Sequence, residues 1–219
     1  MNKKIRDTLV SIAQEKQTKG DPSHGFDHIN RVLNLAVKIG KKEKADLDIV
    51  IPAALFHDII VHRKDSPESK NETEESAEMA GHILREIKKF PQEKIPLIQK
   101  CIRECSFSKG IMAETIEGKV LQDSDRLESV GAISIMRTYS SGGQMGRPLY
   151  HIEDPLRKNS LSDVSMPLKS STDLFFVRLL LIKNIMITET GKKMVIRRSK
   201  FLHTFLKELE KELKESGVL

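Results

Sequence analysis

Apolar residues return at intervals of three and four along nearly the whole chain, and this spacing constrains the fold more than any other feature. Ile5, Leu9 and Ile12 begin the pattern, and Ile29, Leu33, Ala36 and Ile39 continue it. Ala77, Ala80, Leu84 and Ile87 form a further stripe, followed by Ile95, Ile98 and Ile102, then by Leu121, Val130, Ile133 and Met136. Residues spaced this way share one face of a helix, whereas a half-buried strand needs strict alternation. No alternating run of useful length occurs, so the expected fold is all-α. With 219 residues, 38% of them hydrophobic, the chain can bury one sizeable core. It has no internal repeat and no shift in composition, so a single helical-bundle domain over residues 1–219 is expected.

Three segments need their own reading. In "DLDIVIPAALFHDII", Asp48 as N-cap would put Pro52 in the first helical turn, where a missing N–H matters least. That helix would run through Phe56 and deliver His57 and Asp58 at its C-terminal end. Leu174 to Met186 is apolar nearly all round, which predicts a central helix, or one that serves a homodimer. Between Ser140 and Ser171 the chain is rich in Gly, Ser and Pro, and a loop of that length is usually a functional cover or a linker. The expected division is a core over about 20–140, a loop over 140–171 and C-terminal helices over 172–215. The last of these is the long amphipathic stretch from Met194 through Phe201, Phe205 and Leu209 to Leu213.

Formal net charge is +6, yet the basic residues are scattered in pairs such as Lys41-Lys42 and Arg197-Arg198, near acidic neighbours. Solvated helix faces are the expectation, which argues against a nucleic-acid partner and still allows a positive pocket for an anionic substrate. Cys101 and Cys105 stand one helical turn apart among isoleucines, without metal-finger or redox spacing, and read as small buried hydrophobes. The N-terminal residues lack the apolar run of a signal peptide, and no stretch approaches the ~20 apolar residues that span a bilayer. A cytoplasmic protein with no membrane partner is expected.

The chemistry gathers around "SHGFDHINRV", "ALFHDI" and "VLQDSDRLESVGA". His28 begins a helix whose inward stripe holds Ile29, Val32 and Ala36, and alone it reads as a hydrogen-bonded core residue. His57-Asp58 changes that reading, because two adjacent ionisable groups after an apolar run need a partner, and a divalent cation is an obvious one. Asp125 shares a face with Leu121 and Ala132, while Asp123 points elsewhere on the same helix. Two imidazoles and two carboxylates make a mixed nitrogen and oxygen site, suited to divalent Mn, Mg, Fe, Co or Ni.

The order His28, His57-Asp58, Asp125 resembles the HD superfamily of metal-dependent phosphohydrolases. The words "HGFDHINRV", "ALFHDI", "KDSPE", "SFSKG", "EGKVLQDSDRLESVGAISIMRTYSSGG" and "DLFFVRLLLIKNIMITETGKKMVIRRSKFL" resemble its small stand-alone bacterial and archaeal branch, from about Ser11 to Leu209. The resemblance implies an all-helical HD fold, a divalent metal held by His28, His57, Asp58 and Asp125, and hydrolysis of phosphate esters or phosphoanhydrides, with nucleotides the usual substrates. The chain departs from the pattern at Gly25, where relatives often have Asp, and at Cys105, where some have His. Dinuclear relatives use two more histidines between the HD pair and the last Asp; here that interval holds only His62 and His82, both expected at the surface. One metal ion is the expectation.

Such an ion would activate water and polarise a phosphoryl oxygen, and the developing charge calls for cations. Lys64, Arg126 and Arg31 are the candidates near the ligands, with Arg147, Lys158 and Tyr150 on a lid after Tyr139. Asp65 and Asp27 rank above His24 and Glu128 as general acid or base. The competing readings are a cyclic-nucleotide phosphodiesterase, which the missing histidines disfavour, a non-catalytic nucleotide-binding HD module, and a nucleic-acid binder.

Overall fold

The computed structural model describes residues 1–16, 25–62, 66–106, 109–157 and 168–219. Among them every regular element is helical, as the apolar spacing predicts. The α-helices are α1 (Lys3–Lys16), α2 (Phe26–Glu43), α3 (Leu47–Phe56), α4 (Glu72–Glu86), α5 (Ile95–Glu104), α6 (Ile116–Glu128), α7 (Ala132–Gln144), α8 (Asp173–Val177) and α9 (Glu189–Glu215). The chain divides into two compact units. The first comprises Met1–Asp125 and Ile187–Gly191; the second comprises Arg126–Met186 and Lys192–Leu219.

In the first unit α3 is the hub. It packs against α1, α2, α4 and α5, and Ile49, Val50, Ile51, Ala53, Ala54, Leu55 and Phe56 are all buried. A helix that is apolar on every side can exist only where neighbours cover every side. The Asp46 side chain accepts a hydrogen bond from the Asp48 backbone N–H at 2.9 Å. Asp46 is therefore the N-cap in place of the expected Asp48, and Pro52 sits in mid-helix instead of the first turn. The missing Pro52 donor is accommodated because tertiary packing, not helix propensity, holds α3. The α4–α5 contact is close because Gly81 faces Gln99, whose amide donates to the Ala77 carbonyl at 2.9 Å.

The second unit corrects two expectations. Leu174 to Met186 is not one helix: α8 stops at Val177, Arg178 leaves the helical region at φ −139° and ψ −62°, and a 3₁₀ stretch covers Leu179–Asn184. Its bulky Phe175, Phe176 and Val177 are weak helix formers, so composition alone did not secure a helix. The glycine-rich stretch after Tyr139 is not loop at its start, since α7 continues through Ser140, Ser141, Gly142 and Gly143. Gly142 is there because its face lies against Ser171, where a Cβ would collide. Gly146, at φ +66°, ends the helix, with Arg147 N–H bonded to the Gly142 carbonyl at 2.8 Å and Gly146 N–H to Gly143 at 3.1 Å. This is a Schellman motif, which needs the left-handed residue that glycine supplies. Beyond it Ser171 and Thr172 N–H groups donate to the carbonyls of Pro148 and Leu149, so the described flanks of the expected lid are tied down. The core of this unit includes Tyr139, Phe175 and Phe205, with centroids 5.6 to 6.4 Å apart.

Candidate metal centre

Each of three helices of the first unit brings a polar side chain to one place. His28 is in the first turn of α2, in line with the buried Ile29, Val32 and Ala36 face, and is 1% exposed. His57 caps the C-terminus of α3 and is 2% exposed. Its Nδ1 lies 2.9 Å from the Ala54 carbonyl oxygen. A carbonyl can only accept, so Nδ1 carries a proton, and Nε2 is the nitrogen whose lone pair can face a cation. That Nε2 is buried and has no hydrogen-bond partner among the described residues. Asp125 comes from α6.

These groups converge. His28 Nε2 is 3.5 Å from Asp125 Oδ1 and 3.6 Å from Asp58 Oδ2; His57 Nε2 is 3.9 Å and 3.7 Å from the same two atoms. The imidazole centroids are 5.5 Å apart and cross at 63°. One ligand atom each from His28, His57 and Asp125 lies within 4.8 Å of the others. The spacings exceed the hydrogen-bond range. Ligand atoms about 2.1 Å from a shared cation stand roughly 3.0 to 4.2 Å apart, so this donor set fits a divalent ion. The imidazoles form the closed floor, and the carboxylates, with side chains 25% and 23% exposed, form the open rim.

Residues after the HD pair are laid along α4. Ser76 Oγ meets both the N–H and the carbonyl of Ile60 at 3.2 and 3.4 Å. Glu72 accepts from the His62 N–H at 2.8 Å, and Glu75 lies 2.7 Å from His62 Nε2. His62, expected at the surface, is thus half-buried and engaged, because Glu75 gives its imidazole a partner; His82 is exposed as expected. Asp27 is exposed in the first turn of α2, and Arg31 is half-buried one turn beyond His28. Lys64, Asp65, His24 and Lys158 lie outside the described residues. Arg126 is 8% exposed and donates to the Ile185 carbonyl at 2.9 Å, a structural tie within the second unit. Arg147 is half-buried directly after the α7 cap, also in the second unit, as is the buried Glu128. The cysteines are buried, and burial pushes the Cys101 thiol up to about 12.

Sequence reading missed the residues behind the converging side chains. Gln122 and Asp123, both fully buried beside Asp125, make long-range hydrogen bonds. A run of polar residues inside an otherwise buried helix was the available signal, because buried polar groups need partners.

The HD domain family model matches residues 25–130, which span all four converging residues. The uncharacterized protein YpgQ of Bacillus subtilis is 33% identical over 215 residues, covering 95% of this chain and 92% of YpgQ. The chain belongs to the HD superfamily. The crystal structure of YpgQ in complex with ADP has a TM-score of 0.70 at 31% identity and covers 95% of this chain and 97% of that one. An HD-superfamily hydrolase from Bacillus thuringiensis has a TM-score of 0.69 at 25% identity, covering 96% and 97%. The HD-superfamily hydrolase fold therefore extends over nearly the whole chain. No helix among the described residues is long and apolar enough to cross a membrane.

Proposed function

We propose that this protein is a metal-dependent phosphohydrolase that cleaves phosphoanhydride or phosphate-ester bonds of nucleotides. The observation that carries the reading is the convergence of His28, His57 and Asp125, with Asp58 beside both imidazoles, around a buried His57 Nε2 that lacks a hydrogen-bond partner among the described residues. Leaving such a nitrogen dry and unbonded costs about 1–3 kcal/mol, which an ion would offset. The presence of ADP in the YpgQ structure supports a nucleotide as the ligand class.

In this reading His28, His57, Asp58 and Asp125 hold one divalent ion. When bound, such an ion supplies a low-pKa water and a Lewis acid toward a phosphoryl oxygen. The Ala54 carbonyl fixes the His57 tautomer, so the ring is ready to ligate without rearranging. The partly exposed rim formed by Asp58 and Asp125 leaves one side open for a phosphate to approach. Arg31 is the proposed phosphate contact among the described residues of this unit. Lys64 and Asp65 keep their proposed roles as phosphate contact and general base, and Asp27 is the alternative base.

The test is a panel of nucleotides incubated with Mn²⁺, Mg²⁺, Co²⁺ or Ni²⁺, with products separated by chromatography. Pyrophosphate or stepwise phosphate release is the expected result. Ring opening of a cyclic nucleotide would replace this reading with the phosphodiesterase. Tight nucleotide binding without any product would replace it with a non-catalytic binding module.

A further inference from the structure

Asp125 lies in a short run, Gln122-Asp123-Ser124-Asp125, whose buried members bond to separate stretches of chain. Gln122 is fully buried, and its amide donates to the carbonyls of Glu104 at 2.5 Å and Ile111 at 2.8 Å. Its oxygen accepts from the Ala113 N–H at 3.3 Å. Three bonds from one side chain thus fix α6 against the connection that follows α5. Ser124 turns back on its own helix, bonding the Val120 carbonyl at 2.6 Å.

Asp123 reaches a far part of the sequence. Its carboxylate accepts from the Ile187 N–H at 3.0 and 3.2 Å, from the Thr188 N–H at 2.7 Å and from the Thr188 hydroxyl at 2.7 Å. Thr188 Oγ1 in turn accepts from the Gly191 N–H at 3.0 Å, so it caps α9 while it holds Asp123. A charge-assisted set of this kind is strong and geometrically demanding. Residues along a helix turn by about 100° each, so Asp123 and Asp125 project from nearly opposite sides of α6. A pull on Asp123 therefore sets both the rotation and the axial position at which Asp125 is presented to the histidines.

We infer that Asp123, clasped by Ile187 and Thr188 and backed by Gln122, is the positioning residue for the Asp125 carboxylate. The inference rests on the proposed metal role of Asp125. It also explains why five residues at 187–191 belong to the first unit although the stretch from Arg126 to Met186 separates them from the rest of it. Glu43 provides the comparison. It accepts from the Thr190 N–H at 2.8 Å, so it also holds the start of α9, but it sits on α2 and does not govern α6.

The test uses the full chain, Mn²⁺ and Co²⁺, and three readouts: the metal dissociation constant, the visible absorption spectrum of the Co²⁺ form, and the Tm of the metal-free protein. Asp123→Asn keeps the size and one acceptor but turns an NH₂ toward donors. It is expected to weaken metal binding on the order of 10–100-fold and to change the Co²⁺ spectrum. Thr188→Val should act in the same direction more mildly, and Thr188→Ser should restore wild-type values. Glu43→Gln should lower Tm and leave affinity and spectrum alone. A wild-type chain that binds neither metal would overturn the functional reading itself. A wild type that binds, with Asp123→Asn and Thr188→Val matching its affinity and spectrum while only Tm falls, would overturn the positioning role. If Asp123→Asn does not fold, the Thr188 pair decides alone.

Discussion

The two nitrogens of His57 have separate tasks: Nδ1 closes the α3 terminus on the Ala54 carbonyl, and Nε2 is kept dry and available. Replacing His57 or Asp58 by Ala is expected to lower metal affinity at least a hundredfold. The Tm of the metal-free protein should shift by no more than about 5 °C, because neither side chain fills the apolar core. Equilibrium dialysis and calorimetry on the same samples check this; a wild-type metal content in either variant would contradict it. Cys101 offers a second check. Burial raises its thiol to about 12, so the folded chain keeps a proton that the unfolded chain releases near pH 8.5. Its contribution to stability is full below about pH 8.5 and declines as pH rises toward 12. Cys101→Ala should flatten the fall of Tm between pH 9 and 11, and the native thiol should not react with an aromatic disulfide at pH 8. The converging side chains were legible because each stands beside an apolar helical stripe, in an order that resembles a known superfamily. Asp123 was read only as facing away from Asp125, since its partners lie 64 and 65 positions downstream and no local pattern announces them.

At the scale of elements, α3 determines how firmly the site is held, for it is buried on all sides and ends at His57. Leu55→Ala removes a fully buried side chain two residues before His57. A loss of about 2–5 kcal/mol in urea unfolding is expected. A loss below about 1 kcal/mol would mean that the packing around α3 relaxes freely. Helical class was legible because the 3.6-residue period persists through α1, α2, α4 and α5. Boundaries were less so. The true N-cap of α3 lies two residues before the expected one, since Asp46 and Asp48 are equivalent as sequence and only the fold chooses between them. The glycines of α7 look like loop residues, and the closeness of Ser171 explains Gly142 alone.

At the scale of the whole molecule, the first unit is assembled from two stretches of chain, with Ile187–Gly191 closing onto Asp123 and Glu43. We propose that the 219 residues behave as one cooperative domain, which predicts a single calorimetric transition with equal calorimetric and van't Hoff enthalpies. Two resolved transitions would divide the chain into independent domains. The central claim, that one ion at His28, His57, Asp58 and Asp125 enables nucleotide hydrolysis, is tested most directly by titrating Mn²⁺ into metal-free protein while reading bound metal and turnover together. Turnover should start from zero, rise in proportion to bound metal and level off at one ion per chain. Undiminished turnover in the metal-free sample, or activity that appears only with a second bound ion, would contradict it.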